Sequence, residues 1–287
     1  MSLSFRSALL LSATIVATAI TPATAQRRTP APAPQQVTNS QPALPPGTSP
    51  DAWPGVMQLD VDATDVARAV FTVRQTIPVA SAGRLVLRYP QWLPGNHAPR
   101  GPVGDIADLR FTAGGRTLPW RRDPMDVYAF AVDVPAGVRE IEARFQLLTP
   151  TRTTEGRVVM TPAMLNLQWE KVSLYPAGPA TRAIRVRPSV TLPAGWSAAG
   201  ALDGASVEGA RVRYAETDYE TLVDSPLFAG AYFRRWPLGN GAELAVVADE
   251  ARFLAATDEQ IAAHRALVAE AIEVFGSRHF DHYTFLL

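Results

Sequence analysis

The chain has 287 residues, 27 basic and 27 acidic side chains, 47% hydrophobic residues and no cysteine. That is ample for a sizeable core in one or two domains, and a balanced charge, with Lys171 the single lysine, argues against nucleic-acid binding, which calls for a basic patch. The absence of thiols excludes disulfides, a cysteine nucleophile, thiolate metal sites and a lipid-bearing cysteine anchor.

Residues 1–25 read as a secretory signal: Arg6 is the positive flank, Ala8 to Ile20 the apolar region, and Ala23-Thr24-Ala25 a small-residue cleavage site. No later stretch reaches the roughly 20 apolar residues of a spanning helix, so the expected location is periplasmic or secreted, without a membrane anchor. Residues 26–55 are rich in proline, from Pro30 to Pro50, and read as an extended, disordered tether.

From Val56 the apolar period becomes two, as expected of strands. Met57, Leu59 and Val61 alternate with polar neighbours, then Phe71, Val73 and Ile77, then Leu85, Leu87 and Tyr89. Between Arg88 and Phe111 four prolines and three glycines predict a long, stiff, irregular loop, because proline removes a backbone donor and extends the residue before it. Gly114-Gly115 predicts a hairpin turn, and Tyr128 to Val134 and Ile141 to Leu147 predict further strands. Thr149 to Thr161 reads either as a connection or as an edge strand through Val158, Val159 and Met160. Ile184 to Leu192 and Val212 to Tyr214 resume the alternation, Asp224-Ser225-Pro226 reads as turn initiation, and the runs from Phe228 to Leu238 and Ala242 to Ala248 bracket the hairpin signal Asn240-Gly241.

Thr257 with Gln260 fits a capping box, Asp258 and Glu259 suit the first turn, and Gly276 is a C-terminal stop, which predicts a helix over 258–275. Its apolar face carries Ile261, Val268, Ala271, Ile272 and Phe275, and places His264 as a core or interface histidine. His279 to Leu287 reads as an apolar strand with no turn, cap or polar tail after it, from which the chain is expected to be cut short. The fold class is therefore mainly β, an antiparallel sandwich or saddle-shaped sheet, followed by one amphipathic helix and a strand.

Motifs for chemistry are sparse. The sequence has no H-E-x-x-H, G-x-S-x-G or P-loop. His279, Asp281 and His282 invite a metal reading, but zinc takes three or four converging ligands and the same residues equally suit a loop entering a strand. Asn96, His97 and Arg100, on the proline loop, are the candidate substrate-binding residues. They either line a cleft and contact a peptide terminus or hydrogen-bond the loop's own backbone.

Four motifs in order carry a resemblance: Trp92-Leu93-Pro94-Gly95, Leu192-Pro193-Ala194-Gly195-Trp196, the segment Tyr219 to Gly230 (Y-E-T-L-V-D-S-P-L-x-x-G), and a helix ending Phe275-Gly276 before Tyr283 to Leu287. Together they resemble the glycyl aminopeptidase family of zinc metallopeptidases, metallopeptidase family sixty-one, over roughly Val56 to Leu287. The resemblance implies an amino-terminal β domain over 56–250 and the incomplete start of a thermolysin-like catalytic domain over 251–287. It implies zinc in that missing domain, on H-E-x-x-H and a downstream glutamate, and none in this chain. It also implies a role in an exported aminopeptidase removing glycine or alanine from peptides, with the chain inactive alone. Many family members have serine and an aromatic where this sequence has Asn96 and His97. From the residues alone, a free-standing periplasmic β-sandwich binding module stands as the alternative.

Overall fold

The computed structural model describes residues 49, 53–92 and 98–287; the signal segment and most of the tether lie outside them. The alternating runs form β1 (Val56–Asp62), β2 (Val70–Pro78), β3 (Gly83–Arg88), β4 (Ile106–Ala113), β5 (Arg116–Leu118), β6 (Trp120–Arg122), β7 (Ala129–Val134) and β8 (Glu140–Leu148). There follow β9 (Met164–Leu167), β10 (Tyr175–Pro176), β11 (Arg185–Thr191), β12 (Ser197–Gly200), β13 (Ser206–Glu208), β14 (Arg211–Arg213), β15 (Thr217–Asp218), α1 (Tyr219–Val223) and β16 (Leu227–Gly230). The chain then runs through β17 (Tyr232–Gly239), β18 (Ala242–Ala248), α2 (Asp258–Phe275) and β19 (Tyr283–Leu286).

The largest sheet has the order β13-β14-β11-β1-β2-β8-β4-β5, with β15 also on β11, and a second sheet has the order β10-β3-β7-β6. Period-two patterning decides which face is buried. Phe71, Val73 and Ile77 of β2 are buried while Thr72 and Arg74 face out, and Leu85, Leu87, Phe130 and Val132 of the second sheet join them in one core. Trp120 ties the sheets together through edge-to-face contacts with Phe111 (6.2 Å between centroids) and Phe130 (5.6 Å). A small third sheet, β12-β16-β9, adds Leu165, Leu167 and Leu227 to the same core.

One polar residue breaks the alternation. Gln75 occupies an inward position of β2 and is fully buried. Its Nε2 donates to the Leu174 carbonyl at 2.7 Å and its Oε1 accepts from the Leu174 amide at 2.9 Å, so the side-chain amide behaves like a strand partner with both of its ends paired.

Several expectations change. The large sheet is not purely antiparallel: β1 runs parallel to β11, as β18 does to β19. The run from Phe228 to Leu238 is two strands, because the chain leaves the β12-β16-β9 sheet at Ala231, whose amide donates to the Ala163 carbonyl at 2.8 Å, and enters another sheet. Asp224-Ser225-Pro226 closes helix α1 instead of initiating a turn, with the Asp224 amide donating to Glu220 O at 3.2 Å and Ser225 Oγ to Thr221 O at 2.7 Å. That helix is opened by Asp218, whose carboxylate accepts from the Thr221 amide at 2.9 Å. Thr149 to Thr161 is a connection, with a single bridge from Met160 to Leu165. The end of the tether is also bonded to the domain: the Ser49 amide donates to Gly178 O at 2.8 Å, and Trp53 Nε1 donates to Pro78 O at 3.0 Å, its ring packed on the core.

Residues from Tyr232 onward build a second module around the sheet β17-β18-β19. Leu238, Ala242 and Leu244 pack against Ile261 and Val268 of α2 in a separate apolar cluster. The capping box forms, the Gln260 amide donating to Thr257 Oγ1 at 3.2 Å and the Thr257 amide to Gln260 Oε1 at 2.8 Å, and Gly276 takes φ +64°. His264 is half-buried at the margin of the packed face, not in the core, with Nδ1 2.7 Å from Gln260 O. Between His279 and Leu287 only Tyr283–Leu286 is strand. No helix among the described residues is long and apolar enough to cross a membrane.

Candidate functional site

The proline loop leaves β3 at Tyr89 and returns through a single 3-10 turn over Val103–Asp105 into β4. Its two limbs are fastened to each other: the Arg100 amide donates to Gln91 O at 3.0 Å. They pass so closely that a Cβ on Gly101 would stand 2.0 Å from the Pro90 carbonyl oxygen, which only glycine permits. Trp92 stands 61% exposed at the start of the tip. Of the candidate residues, Arg100 is exposed on the returning limb, and Asn96 and His97 lie outside the described residues.

Under the loop is a group that sequence reasoning missed. After β9 the chain makes a 3-10 turn, Trp169–Val172, in which Trp169, Glu170 and Val172 are all buried. Glu170 is only 6% exposed. Burial pushes its carboxyl up from the ordinary 4.5 to about 7, against the opposing pull of its own backbone amide and the Lys171 ammonium. Burial likewise pushes the Lys171 ammonium down, with Glu170 and Asp105 resisting.

Tyr89, at the root of the loop, donates its hydroxyl to the Lys171 carbonyl at 3.0 Å. Its own ionisation is pushed well up by burial and then by the charges of Glu170 and Asp105, so loop, 3-10 turn and carboxyl share one electrostatic environment. The turn is fixed from below by Gln75 and by Ser173, whose Oγ donates to Trp169 O at 2.7 Å and lies 2.8 Å from the Tyr219 hydroxyl. Among the described residues, the buried atoms Trp169 Nε1 and Asn166 Oδ1, on the same stretch, have no hydrogen-bond partner. The only signal for Glu170 in the sequence is a lone acid between apolar neighbours in Trp169-Glu170-Lys171-Val172, too little to separate it from any exposed turn.

The metal reading of His279, Asp281 and His282 does not find its ligands together. His282 Nε2 lies 2.8 Å from Asp203 Oδ1 on a different element, and the described residues include no group of three or more His, Cys, Asp or Glu placed to hold a metal ion.

The fold is a predominantly β sandwich that continues into a small helix-backed sheet. The sequence matches the Peptidase M61 N-terminal domain over residues 58–231, more than half of its length, and the chain belongs to that family. No curated protein sequence matches it. Among solved structures, an aminopeptidase N family protein from Idiomarina loihiensis superposes with a TM-score of 0.67 at 18% identity, covering 80% of this chain and 38% of that one. Yeast LTA4 hydrolase in complex with bestatin superposes with a TM-score of 0.50 at 11% identity, covering 86% of this chain and 39% of that one. At these identities the likeness concerns the fold, and the chain spans well under half the length of either structure.

Proposed function

We propose that the chain is the non-catalytic amino-terminal domain, with the opening helix and strand of the adjoining unit, of an exported zinc aminopeptidase that removes glycine or alanine from peptides. The family match over 58–231 carries this reading. A second observation supports it: the outer face of α2 and β19 leaves Leu267, Phe275 and Tyr283 between 47% and 69% exposed around a 340 Å³ apolar hollow. Contiguous apolar surface of this kind marks a face that another body covers, and the adjoining catalytic domain is the proposed occupant.

On this reading the proline loop, with Asn96, His97 and Arg100, forms one wall of the substrate cleft. The adjoining domain would hold a zinc ion, whose chemistry when bound would be a metal-activated water and polarisation of the scissile carbonyl; the described residues of this chain include no group of three or more His, Cys, Asp or Glu placed to hold it, and none is assigned to it. Residues 1–25 serve as the export signal, and the boundary between the two units is taken near Ala231 instead of 250, a choice supported by the end of the family match at 231 and by a first core that draws on nothing beyond Ala229.

The full-length protein should hydrolyse glycyl-p-nitroanilide, lose activity with a chelator and regain it with zinc, while residues 26–287 alone should neither turn over substrate nor bind zinc stoichiometrically. Metal-dependent turnover by 26–287 would refute the assignment. A stop codon directly after residue 287 would favour a free-standing binding module.

A further inference from the structure

The two apolar clusters of the chain share no buried residue: one draws on 57–229, the other on 238–268. Between them lies a groove of about 850 Å³, lined from one side by Trp196, Leu202, Val207 and Tyr214 and from the other by Phe233 and Pro237. Interiors pack to near-crystalline density, so apolar walls standing this far apart are two surfaces that face each other without forming one core.

The chain crosses between the modules once, through Gly230-Ala231. Gly230 lets them approach there: a Cβ on it would stand 3.0 Å from Ala163 O on one side and 3.4 Å from Val247 Cβ on the other. Among the described residues three side-chain bonds span the joint. Thr161 Oγ1 donates to Asp249 Oδ1 at 2.6 Å close to the crossing, Arg235 donates to Ala198 O at 2.7 Å, and His282 Nε2 lies 2.8 Å from Asp203 Oδ1.

Their order along the sheet matters. Tyr232 of β17 faces Ala248 at the crossing, whereas Gly239 faces Ala242 and Ala242 faces Tyr283 at the other end. At about 3.3 Å per residue those ends stand about 20 Å apart. Thr161 is therefore near the pivot, Arg235 part way along the lever and His282 at its tip. Both outer links are solvent-exposed, and such links hold weakly.

We propose that residues 232–287 swing as one body against residues 58–231 about Gly230-Ala231, with the Asp203–His282 pair as the clasp that holds the groove shut and Arg235 as the strut behind it. The swing changes the width of the groove and the angle at which the exposed face of α2 is presented. Each module keeps its own core, so the motion is a rigid-body one at a two-residue linker that parts the contacts of β12 with β17 and β19 while β16 stays against β18 near the pivot.

The test is made on the full-length protein with spin labels at Val207→Cys and Glu273→Cys, any cysteine outside residues 1–287 being first replaced by serine, since these residues themselves contain none. Pulsed dipolar spectroscopy should give a distance distribution that broadens toward longer values when Arg235→Ala and His282→Ala are introduced, each exposed link changing the open population by up to about five-fold. In unlabelled protein, oxidising an Asp203→Cys/His282→Cys pair should slow amide exchange at Ala231 to Phe233. A distance distribution equally narrow with and without the two links, in variants that retain the native circular dichroism, overturns the proposal, as does amide exchange at 231–233 that ignores the engineered disulfide.

Discussion

Replacing Glu170 with glutamine tests the electrostatics beneath the proline loop. In the unfolded chain this carboxyl titrates at its ordinary 4.5, and in the folded protein burial raises it to about 7. Between those values the native state holds a proton that the unfolded state has released, so stability falls as pH rises through the window. A shift of some 2.5 units at about 1.4 kcal/mol per unit amounts to about 3 kcal/mol, fully present as added stability below pH 4.5 and lost by the time pH has passed 7. Glu170→Gln keeps the shape and removes the ionisation. The variant should match the native protein at pH 4.5 and exceed it by about 3 kcal/mol at pH 8. Urea titrations at half-unit pH intervals, read by tryptophan fluorescence, measure both curves. If the native and variant stabilities run parallel from pH 4.5 to 8, Glu170 is not desolvated in the fold and the account of the site fails.

Two further substitutions probe the scaffold. Gly101→Ala drives a methyl group into the Pro90 carbonyl, 2.0 Å away, and should cost about 1–3 kcal/mol as the limbs separate, with the Arg100 amide losing its protection from hydrogen exchange; unchanged protection would mean that the limbs already stand apart. Thr257→Ala removes the side-chain half of the α2 capping box and should cost about 1 kcal/mol in thermal or urea unfolding, with Thr257→Asn restoring most of it, since asparagine also caps well.

The parts of this fold that were legible in the sequence are those written in local chemistry. Gly114-Gly115 and Asn240-Gly241 mark their hairpins because positive φ is needed there, and all four residues adopt it. Thr257 and Gln260 place the start of α2 because a capping box is four residues long. What stayed hidden depends on partners far along the chain. Alternation shows that β1 has a buried face but not that its neighbour is β11, lying parallel. Phe228 to Leu238 reads as one run because a lone Gly230 is a weak breaker, although the two halves belong to different sheets. Helix α1, five residues long, is too short to show a period, and its Asp218 cap reads like an ordinary loop residue. Of the site, the loop was visible through its prolines, whereas Glu170 acquires its character only from the burial of Trp169 and Val172 around it and from Tyr89, which reaches Lys171 across 82 residues.

The parallel pairing of β1 with β11 also sets an order of events in folding. Ser189 donates to Asp60 across that pair from 129 residues downstream. During synthesis β1 can pair early with β2 on one edge, but its other edge has no partner until β11 has been made, on the order of ten seconds later at 5–20 residues per second. Contacts of such long range make a sheet slow to close, and an open edge through that interval is a surface on which chaperones or stray strands can pair. For a chain proposed to be exported, late closure has a consequence: the sandwich completes only after β11, 129 residues beyond Asp60, is available. The same topology predicts that refolding from denaturant is limited by the docking of 185–191 against 56–62, so that substitutions in β11 slow folding more than they speed unfolding.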